Sequence, residues 1–227
     1  MREIILDLET TGLDIERGHR VIEIGAIEVV DKIKTGRFFH KFTNPDMEVS
    51  PGAFSVHGIS NEFLKDKPKF NEVVDDFLLF IGTDKLVIHN APFDMKFINN
   101  ELLMLGRGKI EYERAIDTLL LARRKFPGSP ASLDALCKRF NVSTKVRQSQ
   151  GHGALIDSEL LYQVYICLTE GVQSELILKR AETLSNVGAN LGGKKSQVGA
   201  RSFSHEDDFE QHKQFLKKIP NNIWEGA

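Results

Sequence analysis

The stretch REIILDLETTG, residues 2–12, decides the fold of this chain. Within it Ile4, Leu6 and Leu8 alternate with residues that include Asp7 and Glu9. This period of two predicts a β-strand from about residue 3 to residue 9. The apolar side chains on both sides of the pattern indicate a strand at the centre of a sheet.

Working outward, Val21 to Val30 and Arg37 to Thr43 are predicted as two further strands, joined by a turn at Asp31 to Gly36. Together with the first strand they predict an antiparallel meander. Leu86 to Ile88 is a short apolar run of the kind found in strands buried on both faces. Apolar stripes around residues 74–81, 97–105, 133–140 and 160–168 predict helices. The order of elements predicts an α/β domain with a mixed sheet.

Composition narrows the classes of function. The chain has 227 residues, is 41% hydrophobic and carries a formal net charge of −2, so its overall charge does not draw it to nucleic acid or to an anionic membrane. No apolar run approaches the ~20 residues of a membrane span. The N-terminus lacks a signal-peptide core, and Cys137 and Cys167 lie in helical patterns typical of reduced thiols. We therefore expect a cytoplasmic protein without membrane contact.

The character of the sequence changes near Leu184. Ser185 to Ser204 contains four glycines and no apolar periodicity, whereas His205 to Ala227 regains apolar residues, including the single tryptophan, Trp224. We predict a folded domain at residues 1–180, a flexible linker at 181–204 and a tail at 205–227 that needs a partner to bury its apolar side chains.

Asp7 and Glu9 are the first candidate functional residues. On a strand they project from one face about 7 Å apart, because two residues advance roughly 2 × 3.3 Å. Carboxylates this close repel each other, raise a pKa or share a cation. A solvated acidic face on an edge strand would explain the same pair.

Two later signals involve further acids. Asp94 follows the strand at Leu86 to Ile88 and lies in the first turn of the next helix. There its charge could offset the helix dipole, or it could belong to a functional site. His152 lies between two glycines, and Asp157 follows five residues later at the start of a helix. A lone histidine in such a loop is often only exposed.

Taken in order, these signals resemble the DEDDh 3′-to-5′ exonucleases. Residues 7–13, DLETTGL, match the first motif, Asp94 within residues 89–97 the second, and His152 with Asp157 the third. Residues 21–26, 56–59, 133–137 and 152–155 are similar more narrowly to the proofreading subunits of bacterial DNA polymerase III. The resemblance covers about residues 2–171, and no catalytic position departs from the motifs.

The resemblance implies a ribonuclease-H-like fold with a five-stranded mixed sheet between helices. It also implies that Asp7, Glu9 and Asp157 ligate divalent cations, with Asp94 acting through water. Carboxylate oxygens suit hard ions, so two Mg²⁺ or Mn²⁺ ions are expected. His152 would be the general base, since imidazole titrates near neutral pH. Residues that would contact the terminal nucleotide are Thr10, Thr11, Leu13, His57 and Asn90; a structural role for His57 and Asn90 is an equal alternative.

Basic residues cluster in the middle third of the chain, at residues 123–125, 138–139, and 145 with 147. Solvated charged faces are one interpretation, and a patch that follows the backbone of single-stranded DNA is the other.

Partner signals follow the catalytic motifs. Gln173, Leu176 and Leu178 resemble a peptide that binds the bacterial sliding clamp, although a continuing helix would explain them too. For the tail, including Trp224, the resemblance implies the alpha subunit of DNA polymerase III as partner.

The expected function is editing of single-stranded or mispaired 3′ ends of DNA, with release of nucleoside monophosphates. The alternatives are a stand-alone exoribonuclease of the same fold and a replisome adaptor without catalysis. The linker and tail favour the tethered enzyme, and the intact acids argue against the adaptor.

Overall fold

The structure, a computed structural model, describes residues 1–170, apart from the side chains of residues 148–150 and 170. The predicted linker and tail, with Gln173, Leu176, Leu178 and Trp224, lie outside the described residues. Within residues 1–170, no helix is long and apolar enough to cross a bilayer.

A five-stranded mixed sheet forms the centre of this part of the chain, in the order β3-β2-β1-β4-β5. Strands β1 to β3 pair antiparallel, whereas β4 pairs parallel to β1 and β5 parallel to β4. The predicted central position of the first strand is confirmed. The strands are β1 (Arg2–Thr10), β2 (Val21–Val30), β3 (Ile33–Phe42), β4 (Lys85–Ile88) and β5 (Ala115–Asp117).

Eight α-helices accompany the sheet within the described residues. Ser132 caps α6, because its side chain accepts a hydrogen bond from the Ala135 amide. The helices are α1 (Pro51–His57), α2 (Asn61–Leu64), α3 (Phe70–Ile81), α4 (Ala91–Met104), α5 (Thr118–Lys125), α6 (Leu133–Phe140), α7 (Lys145–Gln150) and α8 (Ala154–Glu170).

The alternation of β1 divides the core into two layers. Leu6 packs in one cluster with Phe77 of α3 and Phe97 of α4. Ile5, on the other face, packs with Leu161 of α8 in a second cluster. Each of these large side chains is almost fully buried, and burying one contributes roughly 1.5–3 kcal/mol. Asp7 and Glu9 are two and four residues after Ile5, so their side chains point to the same face of the sheet as Ile5, the face that α8 covers.

The hairpin between β2 and β3 is tighter than predicted. Asp31 and Lys32 both adopt positive φ, 50° and 67°, as the two-residue turns that join twisted strands require. Strand β3 therefore begins at Ile33. Gly36, with φ 86°, lies where the pairing of β2 with β3 shifts between Ile27 and Val29. The glycine predicted to end the turn instead forms a bulge within β3.

Candidate active site

The carboxyl end of β1 carries the first two acids, and α8 brings the third to them. Glu9, Asp157 and His152 each offer a ligand atom within 4.8 Å of the others. Asp157 lies in the first turn of α8, where its amide donates to the Gly153 carbonyl at 2.8 Å. The sheet and this one helix start therefore bring together groups 148 positions apart in sequence.

Asp94 reaches the same end of the sheet from α4. Its side chain is 3% exposed, and burial raises its pKa to about 8 although backbone amides, including that of Leu8, oppose the shift. The carboxyl end of β4 leads into α4, and this short connection fixes Asp94 beside β1. The second predicted motif thus joins the first in space.

Burial and mutual repulsion raise the pKa values of the other three acids. The pKa of Asp7 is well above its ordinary value because of burial and the negative charges of Asp94, Asp157 and Glu9. Burial, followed by the charges of Asp157 and Glu23, raises the pKa of Glu9 to about 8. Burial raises the pKa of Asp157, opposed by Arg147. Four acids with raised pKa values favour a site that takes up protons or cations.

Arg147, at the end of the basic cluster at residues 145 and 147, contacts the third motif directly. Its Nη2 donates to Asp157 Oδ2 at 2.8 Å and to Nδ1 of His152 at 2.5 Å. Because a guanidinium has no acceptor, Nδ1 of His152 accepts, and a neutral His152 ring carries its proton on Nε2. Nη1 of Arg147 also pairs with Asp134 on α6.

A second ionisable pair lies behind the glycine that follows His152. Glu23 on β2 is buried, and its Oε1 lies 2.7 Å from Nε2 of His40. When His40 carries a proton on Nε2, this nitrogen donates a hydrogen bond to Glu23. A Cβ on Gly153 would lie 3.6 Å from Glu23 Oε1. The sequence patterns predict no role for Glu23 and His40, and they place Arg147 in a basic cluster interpreted as a solvated face or as a patch that follows the backbone of single-stranded DNA.

The turn after Glu9 is held by its own backbone and side chains. The Thr11 amide donates to the Arg20 carbonyl at 2.9 Å, and Thr11 Oγ1 accepts from the Arg20 amide at 3.0 Å. Arg20 in turn forms a bidentate pair with buried Glu101 of α4 at 2.7 and 2.6 Å. A bidentate guanidinium–carboxylate pair restricts orientation, so the turn is fixed to α4, the helix that bears Asp94.

A cavity of about 550 Å³ opens beside Glu9. Of the predicted nucleotide contacts, Thr10, Leu13 and His57 line it. Leu13 is 83% exposed, so it forms an apolar rim. Thr11 lies fully buried beneath the turn, and Asn90 is an exposed residue at the start of α4 with φ 67°.

His57 is buried at the wall of this cavity. Its Nδ1 accepts from the Ile59 amide at 3.0 Å, so Nε2 carries the ring proton. Burial lowers the pKa of His57, opposed by a hydrogen bond with the Thr10 backbone and by the charge of Glu23, and so favours the neutral ring. Among the described residues Nε2 finds no hydrogen-bond partner of ordinary geometry.

The donor set fits hard divalent cations. Asp157 Oδ1 is buried without a hydrogen-bond partner in the described part of the chain, beside Glu9 and Asp7, and carboxylate oxygens are preferred ligands of Mg²⁺ and Mn²⁺. Unpartnered buried oxygens are costly, and a cation would satisfy them.

Comparison with known proteins agrees with this geometry. The model of the family described as Exonuclease matches residues 4–165. The chain is 50% identical to the DNA polymerase III subunit epsilon of Rickettsia felis, over 96% of this chain and 97% of that one. It is 44% identical to the subunit of the same name from Escherichia coli K12, over 82% of this chain and 79% of the relative.

Solved structures share the fold. Exonuclease X in complex with 5′ overhanging duplex DNA aligns with a TM-score of 0.58 and 28% identity, covering 74% of this chain and 93% of that one. The nuclease domain of 3′hExo, a DEDDh family member bound to rAMP, aligns with a TM-score of 0.62 and 19% identity, covering 75% and 93% of the two chains. At the latter identity the likeness concerns the fold alone.

Proposed function

The chain belongs to the Exonuclease family, among the epsilon subunits of DNA polymerase III, and from this premise we propose how its residues edit the 3′ end of DNA. The protein is a 3′–5′ exonuclease of the proofreading kind. The observation that carries the assignment of roles is the meeting of Asp7 and Glu9 with Asp94 and Asp157 at one end of the sheet. His152 lies beside them.

Asp7, Glu9 and Asp157 would hold divalent cations, either Mg²⁺ or Mn²⁺, and Asp94 would contribute through water. The buried, unpartnered Oδ1 of Asp157 and the raised pKa values of the acids support this assignment. When bound, such ions supply Lewis-acid stabilisation of the charge that develops on the phosphodiester oxygens. They also offset the charge of an acidic site that must accept a polyanion.

The cavity beside Glu9 receives the terminal nucleotide, and its volume suits a ligand of that size. Leu13 and Thr10 contact the nucleotide from the turn, and Nε2–H of His57 donates to its sugar. Nε2 of His57 lies near the Thr10 backbone without a hydrogen bond of ordinary geometry among the described residues, and a substrate oxygen would satisfy it, which supports this role. Thr11 acts from beneath by holding the turn, and Asn90 flanks the entrance.

His152 removes the proton from the water that attacks phosphorus, and the leaving group is the 3′ oxygen of the shortened strand. The base must lie within hydrogen-bond reach of its water, and the separation of no more than 4.8 Å between ligand atoms of His152, Glu9 and Asp157 supports that placement. The products are a nucleoside 5′-monophosphate and a DNA chain one residue shorter.

Release of nucleoside monophosphates from DNA with a mispaired 3′ end tests the assignment. Asp7→Asn and Asp157→Asn should each lower the rate by roughly 10³-fold or more, because each removes a ligand from the ions. Asp75→Asn is the matched control, since Asp75 lies on α3, is exposed and pairs with Arg107 away from the site. Retention of more than about a tenth of the wild-type rate in Asp7→Asn would contradict the assignment.

The segment after residue 170 carries the contacts with partner proteins. The relatives named as polymerase III subunits support a tail that binds the alpha subunit, with Trp224 as an apolar anchor. Gln173, Leu176 and Leu178 form a contact with the sliding clamp, and residues 181–204 act as the tether between domain and tail. The proposed setting is the replisome in the cytoplasm.

A further inference from the structure

Arg147 forms a contact that the catalytic scheme above leaves without a role. Its side chain is only 11% exposed, and the carboxylate that it contacts, Asp157, is 6% exposed. A cation at hydrogen-bond distance from a proposed metal ligand either supports the bound ion or takes its place. The contacts of Arg147 favour the second of these roles.

The guanidinium occupies one side of Asp157. Nη2 donates to Oδ2 at 2.8 Å, whereas Oδ1 is buried without a hydrogen-bond partner among the described residues. The charge of Arg147 also lowers the pKa values of Asp7 and Glu9 against the raising effects of burial and repulsion. Arg147 therefore provides, from the protein itself, part of the positive charge that a divalent ion would bring.

The same nitrogen also contacts His152. Nη2 donates to Nδ1 at 2.5 Å, and the lone pair of Nδ1 is then occupied. While this contact persists, a neutral His152 has its proton on Nε2 and its acceptor nitrogen blocked. A ring in this state cannot accept a proton from water.

Arg147 has a second acidic partner outside the site. Nη1 pairs with Asp134 of α6, which is 67% exposed, at a groove bordered also by His152. Arg147 lies on the short helix α7, which ends at residue 150, immediately before the loop that carries His152. The guanidinium can thus leave Asp157 while it keeps a charged partner.

We propose that Arg147 is a positioning residue that competes with the divalent ions for Asp157, so that loading of the site releases the guanidinium from Asp157 and His152, while it keeps its pair with Asp134, and frees Nδ1 of His152. This inference rests on the proposed metal site. It makes the arrangement of His152 depend on metal occupancy, so that an unloaded site does not present a competent base.

Metal affinity tests the competition without reference to turnover. Mn²⁺ binding to the full chain would be measured by calorimetry at pH 8 for the wild type and Arg147→Gln. One charge-assisted hydrogen bond corresponds to roughly a ten- to hundredfold change in an equilibrium constant, so Arg147→Gln should bind Mn²⁺ at least about tenfold more tightly. Arg147→Lys, which keeps the charge but loses the fork of donors, should lie between the two.

Arg107→Gln is the control for loss of one positive charge, because Arg107 pairs with exposed Asp75 away from the site. Its Mn²⁺ affinity should equal that of the wild type. Thermal unfolding followed by circular dichroism would establish that each variant is folded. If Arg147→Gln is not folded, Arg147→Lys takes its place. Tighter Mn²⁺ binding by Arg147→Lys than by the wild type would then support the competition, and unchanged or weaker binding would overturn it.

Histidine-ring NMR provides the second measurement, with Mg²⁺ as a diamagnetic ion. In the wild type Mg²⁺ should shift the Nδ1 signal of His152 as the Arg147 contact is lost, and in metal-free Arg147→Gln that signal should already lie near its loaded position. Unchanged or weaker Mn²⁺ affinity in Arg147→Gln would overturn the competition and leave Arg147 as a support of the ion. Absence of Mn²⁺ binding to the wild type would overturn the metal site itself.

Discussion

Gly25 of β2 lies directly against the backbone of Ala154, the first residue of α8. A Cβ placed on Gly25 would come within 2.2 Å of the Ala154 carbonyl carbon and 2.3 Å of the Leu155 amide nitrogen. The Gly25 carbonyl also accepts from Ser158 Oγ at 2.9 Å. Since Gly25 is paired with Asp7 across β1 and β2, this contact sets how close α8 brings Asp157 to Asp7.

Gly25→Ala should therefore move Asp157 on α8 away from Asp7 and Glu9 on β1. Backbone atoms cannot rotate away from a new methyl group, so β2 and α8 must move apart, at a cost of about 1–3 kcal/mol in the free energy of unfolding. A displacement of about 1 Å in a catalytic array costs roughly 10²-fold in rate. Exonuclease rate and thermal unfolding would be measured together.

Gly108→Ala is the matched control for this substitution. A Cβ there meets no atom within 4 Å, and Gly108 does not have a positive φ. The control should keep the wild-type rate and stability. A Gly25→Ala enzyme with wild-type activity would show that the site tolerates a wider spacing between β1 and α8.

Much of this arrangement could be predicted from sequence because it rests on strong local patterns. The alternation at residues 2–10 predicts β1, and the apolar run at 86–88 predicts β4. The bounds of β2 agree with those predicted. Ser132 and the glycines around His152 are local signals of the same kind. The α/β mixed sheet and its central first strand are confirmed.

The remaining features depend on contacts between distant parts of the chain. Strand β5 has three residues, too few for a pattern, and parallel pairing with β4 defines it. The partners of Arg147 and the packing at Gly25 depend on how α7 and α8 meet the sheet. Thr11, predicted as a nucleotide contact, is fully buried, because its hydroxyl interacts with Arg20 and His19 within the protein.

Truncation after Leu184 tests the division between catalysis and tethering. A linker of about 20 residues spans on the order of 25 Å, and an anchored tail would hold the nuclease at roughly millimolar effective concentration near the primer end. The truncated chain should keep its rate on free oligonucleotides but lose co-purification with the polymerase alpha subunit. Trp224→Ala should weaken that association, and co-purification of the truncated chain would place the contact on the catalytic domain.

The clamp peptide is tested separately from the tail. Replacing Gln173 and Leu176 by alanine should reduce binding to the sliding clamp, measured by surface plasmon resonance, while association with the alpha subunit persists. Loss of both interactions would indicate that the substitutions affect more than the contact with the clamp.

His152→Ala should lower the single-turnover rate by roughly 10²- to 10⁴-fold, because the water loses its proton acceptor. Binding of a 3′-terminal oligonucleotide should change little, since the pocket residues are intact. Added imidazole should restore part of the rate by entering the space of the missing ring. Failure of imidazole, together with weakened DNA binding, would indicate a binding role for His152.

Asp94→Asn should stabilise the metal-free protein at pH 8 and not at pH 4. In the unfolded chain the carboxyl ionises near its ordinary pKa of 3.8, whereas burial raises the folded value to about 8. Between these pH values unfolding releases a proton, so this group makes the folded protein less stable as the pH rises through the window.

Asparagine carries no charge and preserves the shape of the side chain, so this loss should disappear in the variant. Because the raised pKa is shared with neighbouring acids, we expect a gain of about 2 kcal/mol, or about 5 °C in Tm, at pH 8 in EDTA. Asp75→Asn, at an exposed position, should leave Tm unchanged. Saturating Mg²⁺ should reverse the order of the two Tm values, because the ions bind more tightly to, and so stabilise more strongly, the protein that retains all four acids. A metal-free Asp94→Asn protein less stable than wild type at pH 8 would mean that the backbone amides, including that of Leu8, favour the carboxylate more strongly than burial opposes it.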